Sequence, residues 1–151
     1  MEDLIKKQKQ LKLALDRLKE ALDYRRRLQQ NTPKIPVCIP EFMNTSQLDE
    51  SLRDSLIQRF EFCTDLFWKC LKKYLESVVK VPITVHGPGY VIKAACQAKI
   101  IAEKDGELLL QMIDHRNLTS HTYKVDLAEI ISLEIPQYYQ IMRKYADQLA
   151  K

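Results

Sequence analysis

The stretch LDESLRDSLIQRFEFCTDLFWKCLKKY, Leu48 to Tyr74, decides the fold. Leu48, Leu52, Leu56, Phe60, Cys63, Phe67, Cys70, Leu71 and Tyr74 recur at the spacing that lines one face of an α-helix. Phe62 and Trp68 make it the most aromatic segment of the chain, which predicts a core spine rather than a cofactor-stacking face. Asn44 to Ser46 supply candidate N-caps, Gln47 or Asp49 stands at capping-box distance, and the helix is expected to reach about Val78.

Working outward, residues Glu2 to Gln30 place Leu4, Leu11, Leu15, Leu18 and Leu22 in a seam supported by Ala14 and Ala21. The seam spans only about three heptads and its flanks carry no clean charge code, so it predicts a bundle helix, not an isolated coiled coil. Pro33, Pro36 and Pro40 stop helix formation between these two segments and predict an extended connector over residues 31–45. After Val81 comes a turn-rich break with His86-Gly87-Pro88-Gly89. It lacks the lysine and hydroxyl of a phosphate-cradling loop, and reads better as a Gly87 cap on a helix beginning at Pro88 and running to about Ile101. Lys104-Asp105-Gly106 is expected to turn the chain, Glu107 to about Ser120 to form the next helix, and Asp126 to Ala150 the last, with Pro136 kinking or dividing it near Glu134.

These helices account for most of the 151 residues, enough for one domain with its own core and too few for two. Only three glycines are present and no segment alternates long enough to require a sheet. The expectation is an all-α, up-and-down bundle of four to five helices occupying residues 1–151.

The net charge of +4 is mild, although basic residues cluster at Lys6, Lys7 and Lys9, at Arg25 to Arg27, and at Lys69, Lys72 and Lys73. Such runs are more often a solvated helix face than a phosphate track. Cys38, Cys63, Cys70 and Cys96 have no metal or redox spacing and read as reduced thiols. Neither a signal peptide nor a membrane-length apolar run is evident, which predicts a soluble, cytoplasmic protein.

Chemistry concentrates in Arg116-Asn117-Leu118-Thr119-Ser120-His121-Thr122-Tyr123. On a straight helix Asn117 and His121 share a face with Asp114, whereas Arg116 and His121 diverge by roughly 140°. Both aim at one atom only if the helix breaks near Thr119 or a two-fold dimer brings two copies together. Read alone, His121 could simply be a helix-end imidazole bonded to Asn117, and Arg116 a surface cation paired with Asp114 or Glu107. Asp114, His115 and His121 do not have metal-binding spacing, and no elbow presents Ser120 as a nucleophile.

The same stretch resembles the R-x4-H-x-Y signature of the HEPN superfamily, in the branch of nucleotidyltransferase substrate-binding proteins and HepT-type toxins. The Gln58-Arg59-Phe60-Glu61-Phe62 block with Trp68-Lys69, and Met112-Ile113-Asp114-His115, resemble that branch too, so the similarity spans roughly Leu48 to Tyr145. Asp65 stands where the branch favours a glutamate, and Ala98-Lys99-Ile100 replaces an expected Gly-Leu-Ile.

The resemblance implies a homodimer whose two signatures line one cleft, and a toxin of a toxin–antitoxin pair acting as a metal-independent endoribonuclease. In that role His121 would move a proton at the 2′-hydroxyl or the leaving oxygen, and Arg116 would hold the phosphate. Asn117 would orient the imidazole, and Asp114 would position Arg116. It further implies that a minimal nucleotidyltransferase antitoxin transfers AMP to Tyr123, and that no cofactor or metal is needed. The alternative implied by the family is a non-catalytic subunit that binds substrate for a nucleotidyltransferase.

Overall fold

Helix begins as soon as the apolar period does. The computed structural model describes residues 1–30 and 41–151, and contains α1 (Glu2–Gln30), α2 (Thr45–Tyr74), α3 (Pro88–Gln97), α4 (Glu103–Leu118) and α5 (Val125–Leu149). The three prolines of the expected connector, and Cys38, lie outside the described residues. Asn44 caps α2 through a reciprocal box: its Oδ1 accepts from the Gln47 amide at 2.8 Å, and Gln47 Oε1 accepts from the Asn44 amide at 2.9 Å. The helix then widens into a π-helical turn, Leu75–Val79, which Lys80 ends in a left-handed conformation.

Cross-helix contacts fix the directions. Arg25 meets Asp49 and Lys73 meets Asp3, so α1 and α2 are antiparallel. Gln8 bonds the Leu149 carbonyl and Arg143 meets Asp16, so α5 also runs against α1. Arg53 with Glu129, and Phe60 stacked on Tyr138, place α5 parallel to α2. His115 beside Tyr138 and Lys144 on Asp105 set α4 against α5. The four long helices therefore alternate in direction, with the short α3 packed on α4 and α2. Leu4, Leu11, Leu15, Leu18 and Ala21 bury the α1 seam against Leu56, Phe60, Cys63, Phe67 and Leu71 of α2 and against α5. This burial is the main driving force for folding.

Four details differ from the sequence expectation. Phe62, counted with the core spine, is 56 % exposed, because it falls off the stripe that Phe60, Cys63 and Phe67 define. α3 stops at Gln97, where Ala98 caps it and Lys99 turns left-handed. Lys104, Asp105 and Gly106 do not turn the chain but form the first turns of α4, which starts at Glu103. Gly106 is needed there for close approach: a Cβ at this position would collide with Cys96 Sγ on α3. Finally, of the two outcomes expected at Pro136, a division near Glu134 is absent: α5 runs unbroken through it. The proline ring is exposed while Ile135, Tyr138 and Tyr139 on either side are buried, so packing holds the helix across one lost hydrogen bond.

Cys63, Cys70 and Cys96 are free thiols, and burial pushes the first two up to about 12 and about 11 respectively. No helix among the described residues is long and apolar enough to cross a membrane.

One end of the bundle is tied by charge. Arg25, in the basic cluster read as a solvated face, is buried instead. Its Nε and Nη2 donate to Asp49 at 3.0 and 3.2 Å, and Nη2 also reaches Glu129 at 3.2 Å. Arg53, equally buried, donates through Nη1 to the same Glu129 oxygen at 3.0 Å and through Nε and Nη2 to Asp54. Each guanidinium keeps a second carboxylate and Glu129 is 43 % exposed, so removing Glu129 should cost less than stripping a wholly buried pair. Glu129→Ala is expected to lower stability in urea denaturation by about 2 kcal/mol, and Glu129→Gln by less. A loss under about 0.5 kcal/mol for the alanine variant would show that the clamp carries no stability.

Candidate functional site

α4 delivers the signature and then ends inside it. The α-helix closes at Leu118 and a single 3-10 turn, Thr119–His121, follows. Thr119 makes the break stable: its buried hydroxyl donates to the Arg116 carbonyl at 2.7 Å and accepts from Arg116 Nη1 at 3.2 Å. Thr122 Oγ1 donates to the Thr119 carbonyl at 2.9 Å, and the Lys124 amide donates to the His121 carbonyl at 3.0 Å, completing the turn into α5. The helix does break near Thr119, yet Arg116 turns to α2 while His121 lies beside Tyr123.

Arg116 is engaged. Its Nε and Nη2 form a two-pronged pair with Asp65 Oδ1 and Oδ2, both at 3.1 Å, and Nη1 lies 3.4 Å from Glu61 Oε2. The Asp65 hydrogen bonds raise its pKa above an already high ordinary value, against the opposing effect of burial, so it is a permanent cation. The expected partners, Asp114 and Glu107, are not the ones it uses. Asp114 is exposed, on the side of α4 away from the α2 carboxylates, and among the described residues its side chain makes no hydrogen bond or ion pair.

His121 is exposed on the turn. Its ring meets the edge of Tyr123, centroids 6.2 Å apart, and Lys124 Nζ sits 6.0 Å from the Tyr123 centroid. Tyr123 is 76 % exposed. Among the described residues Asn117 makes no hydrogen bond to the imidazole: it too is exposed, and its backbone carbonyl accepts from Ser120 Oγ at 3.4 Å. The structure thus gathers Arg116, Thr119, Asp65 and Glu61 into one cluster, sets His121 beside Tyr123, and leaves Asn117 and Asp114 outside both.

Two sets of residues were missed. Glu61 and Asp65 are one helical turn apart on α2, a spacing that puts both carboxylates on one face and was readable in the sequence. The second is His115 with Tyr138, whose Nδ1 and hydroxyl lie 2.6 Å apart. Burial, with Glu134 nearby, pushes the Tyr138 phenol up to about 12, so it stays protonated. This pair joins α4 to α5 one residue before Arg116. Among the described residues, no group of three or more His, Cys, Asp or Glu side chains converges to hold a metal ion.

Comparison with solved structures places the fold. A protein from Thermus thermophilus is 28 % identical, with a TM-score of 0.71, over 93 % of this chain and 99 % of that one. A Haemophilus influenzae protein, described as revealing the fold of a substrate binding domain of a nucleotidyltransferase, superimposes with a TM-score of 0.74 at 20 % identity, over 95 % of this chain and 99 % of that one. A comparison with curated proteins gives no match. The family described as nucleotidyltransferase substrate binding protein like matches residues 6–151, end to end through the bundle and the signature, and the chain belongs to that family.

Proposed function

We propose that the chain is the non-catalytic binding subunit of a two-component nucleotidyltransferase, and that it meets its partner through the exposed turn after α4. One observation carries this reading. The guanidinium that would have to grip a phosphodiester is already neutralised by Asp65 and Glu61, while the neighbouring Tyr123 and His121 are presented to solvent. A surface built this way suits docking better than unaided cleavage of RNA: an incoming phosphate would have to displace a two-pronged carboxylate. Family membership supplies the class of partner.

A second reading is favoured by the exposure of Tyr123 and by the break at Thr119. In it the protein is a HEPN-type endoribonuclease toxin that works as a homodimer. Arg116 and His121 of the two copies act on an RNA phosphodiester, and a minimal nucleotidyltransferase silences the dimer by transferring AMP to the Tyr123 hydroxyl. In such a dimer the substrate phosphate competes with Asp65 for Arg116. The transfer forms a bond between the tyrosine oxygen and the α-phosphorus of ATP and releases pyrophosphate, adding a charged group beside His121.

Purified chain mixed with a minimal nucleotidyltransferase from the same organism is expected to form a stable complex by light scattering, and Tyr123→Asp with Lys124→Glu to weaken it at least about tenfold. Absence of any complex rejects the binding-subunit reading. The same chain incubated with RNA and a chelator should leave the RNA intact. Cleavage that disappears in both Arg116→Ala and His121→Ala would replace this reading with the nuclease.

Arg116 and Asp65 should also be coupled energetically. A double-mutant cycle between Arg116→Ala and Asp65→Ala, followed by urea denaturation, is expected to give about 1 kcal/mol, as befits a partly exposed pair. A coupling near zero would mean the guanidinium is free in solution.

A further inference from the structure

Away from the signature, α1 and α5 enclose a cavity of about 610 Å³, within the range of small-molecule sites. Its charged floor is built rather than incidental. Arg25 lines it with a side chain only 7 % exposed. Nε and Nη2 of that guanidinium are engaged by Asp49 and Glu129, whereas Nη1 makes no hydrogen bond among the described residues. Thr64 Oγ1 is the buried side-chain polar atom left without a partner among the described residues, so Nη1 is open to the cavity and its N–H groups are available to an acceptor there. Lys19 and Arg26, both exposed, add positive charge along the α1 side, with Asp23 and Glu129 offsetting part of it.

The α5 wall offers the opposite polarity. Pro136 has no N–H to donate to the Ser132 carbonyl one turn earlier, and both residues line the cavity. That leaves a main-chain acceptor without its usual helical donor, in a lining that also includes Leu22 and Tyr139. The cavity therefore combines an anion-seeking end, a lone acceptor and flat apolar walls.

We infer that this cavity binds a nucleoside monophosphate. The phosphate takes the Nη1 hydrogens of Arg25 and the charges of Lys19 and Arg26, the base lies against Leu22 and Tyr139, and an amino group on the base donates to the Ser132 carbonyl. The modest net positive charge fits one phosphate group rather than a polymer track. The binding-subunit reading enters only in saying what the ligand is for, a molecule held for the partner enzyme; the binding itself rests on the cavity.

Amide NMR of the isotope-labelled full chain, titrated separately with AMP, adenosine and inorganic phosphate, tests it. Saturable shifts are expected at amides of residues 19–29 and 129–140, with AMP bound at least about tenfold more tightly than either fragment. Lys19→Glu with Arg26→Glu, both surface changes, should weaken AMP about tenfold and leave adenosine unchanged. Pro136→Ala, which restores a donor to the Ser132 carbonyl without emptying the core, should weaken AMP and adenosine several-fold and spare phosphate. No saturable shift at millimolar AMP overturns the inference, as do shifts confined to residues 114–124 or an AMP affinity unchanged in both variants. An RNA dinucleotide bound more tightly than AMP at the same amides overturns the small-molecule assignment. Complex formation with the nucleotidyltransferase is measured without nucleotide, so failure here is separable from failure of the binding-subunit reading.

Discussion

Glu129 is the carboxylate on which the register of three helices depends. Two buried guanidiniums, one from α1 and one from α2, converge on it from within α5. Apolar seams alone specify that helices pack but tolerate sliding by a turn, since Leu, Ile and Phe exchange partners at small cost. A buried cation resists such a slide, because moving α5 by one turn takes from both guanidiniums one of the two carboxylates that each one holds. Arg25 and Arg53 thus favour one alignment at an otherwise permissive interface. The same constraint shapes the α1–α5 cavity: Arg25 has more N–H groups than Asp49 and Glu129 can take, and the excess lies at the cavity floor.

At the signature, a second cation is held by the same logic with a different outcome. Arg116 is 28 % exposed, so its two carboxylates are reachable by solvent and by competing anions. The pairing raises the barrier to phosphate binding without abolishing it. Its Nη1 contact with Thr119 also links the ion pair to the helix break, since the threonine hydroxyl that ends α4 accepts from the guanidinium it follows by three residues. Electrostatics and chain direction are therefore set together, and the imidazole emerges on a turn rather than on the helix.

Much of this was legible in the sequence, for identifiable reasons. The bundle follows from periodicity, which reports burial directly; the Leu4–Leu22 seam and the Leu56–Leu71 stripe are both in the core. The Asn44–Gln47 box and the Gly87-Pro88 start are local chemistry and need no tertiary information. Gly106 was misread because it carries a local rule that packing overrides: it is a glycine kept for its closeness to Cys96. Division at Pro136 fails for a related reason, since its helix is anchored on both sides. The true partners of Arg116 were hidden for another reason. Asp65 is 51 positions away in the chain, and no periodicity connects a cation on one helix to a carboxylate on another. The reach of Arg25 to Glu129, across 104 positions, was invisible in the same way.

The two ion-pair systems meet on α2. Arg53 and Asp65 are 12 residues apart, about 18 Å along the helix. Asp65 holds Arg116, three residues before the turn begins. Arg53 holds Glu129, which lies one helical turn into α5, just after the turn ends. The segment that carries Thr119, His121 and Tyr123 is therefore tethered to one rigid helix at both of its flanks, by a charge-assisted contact in each case. An exposed tyrosine on an untethered loop would lose conformational entropy when a partner ordered it. Here that cost is largely met on folding, and the exposed ring is presented from a short, hydrogen-bonded turn with little freedom left to lose.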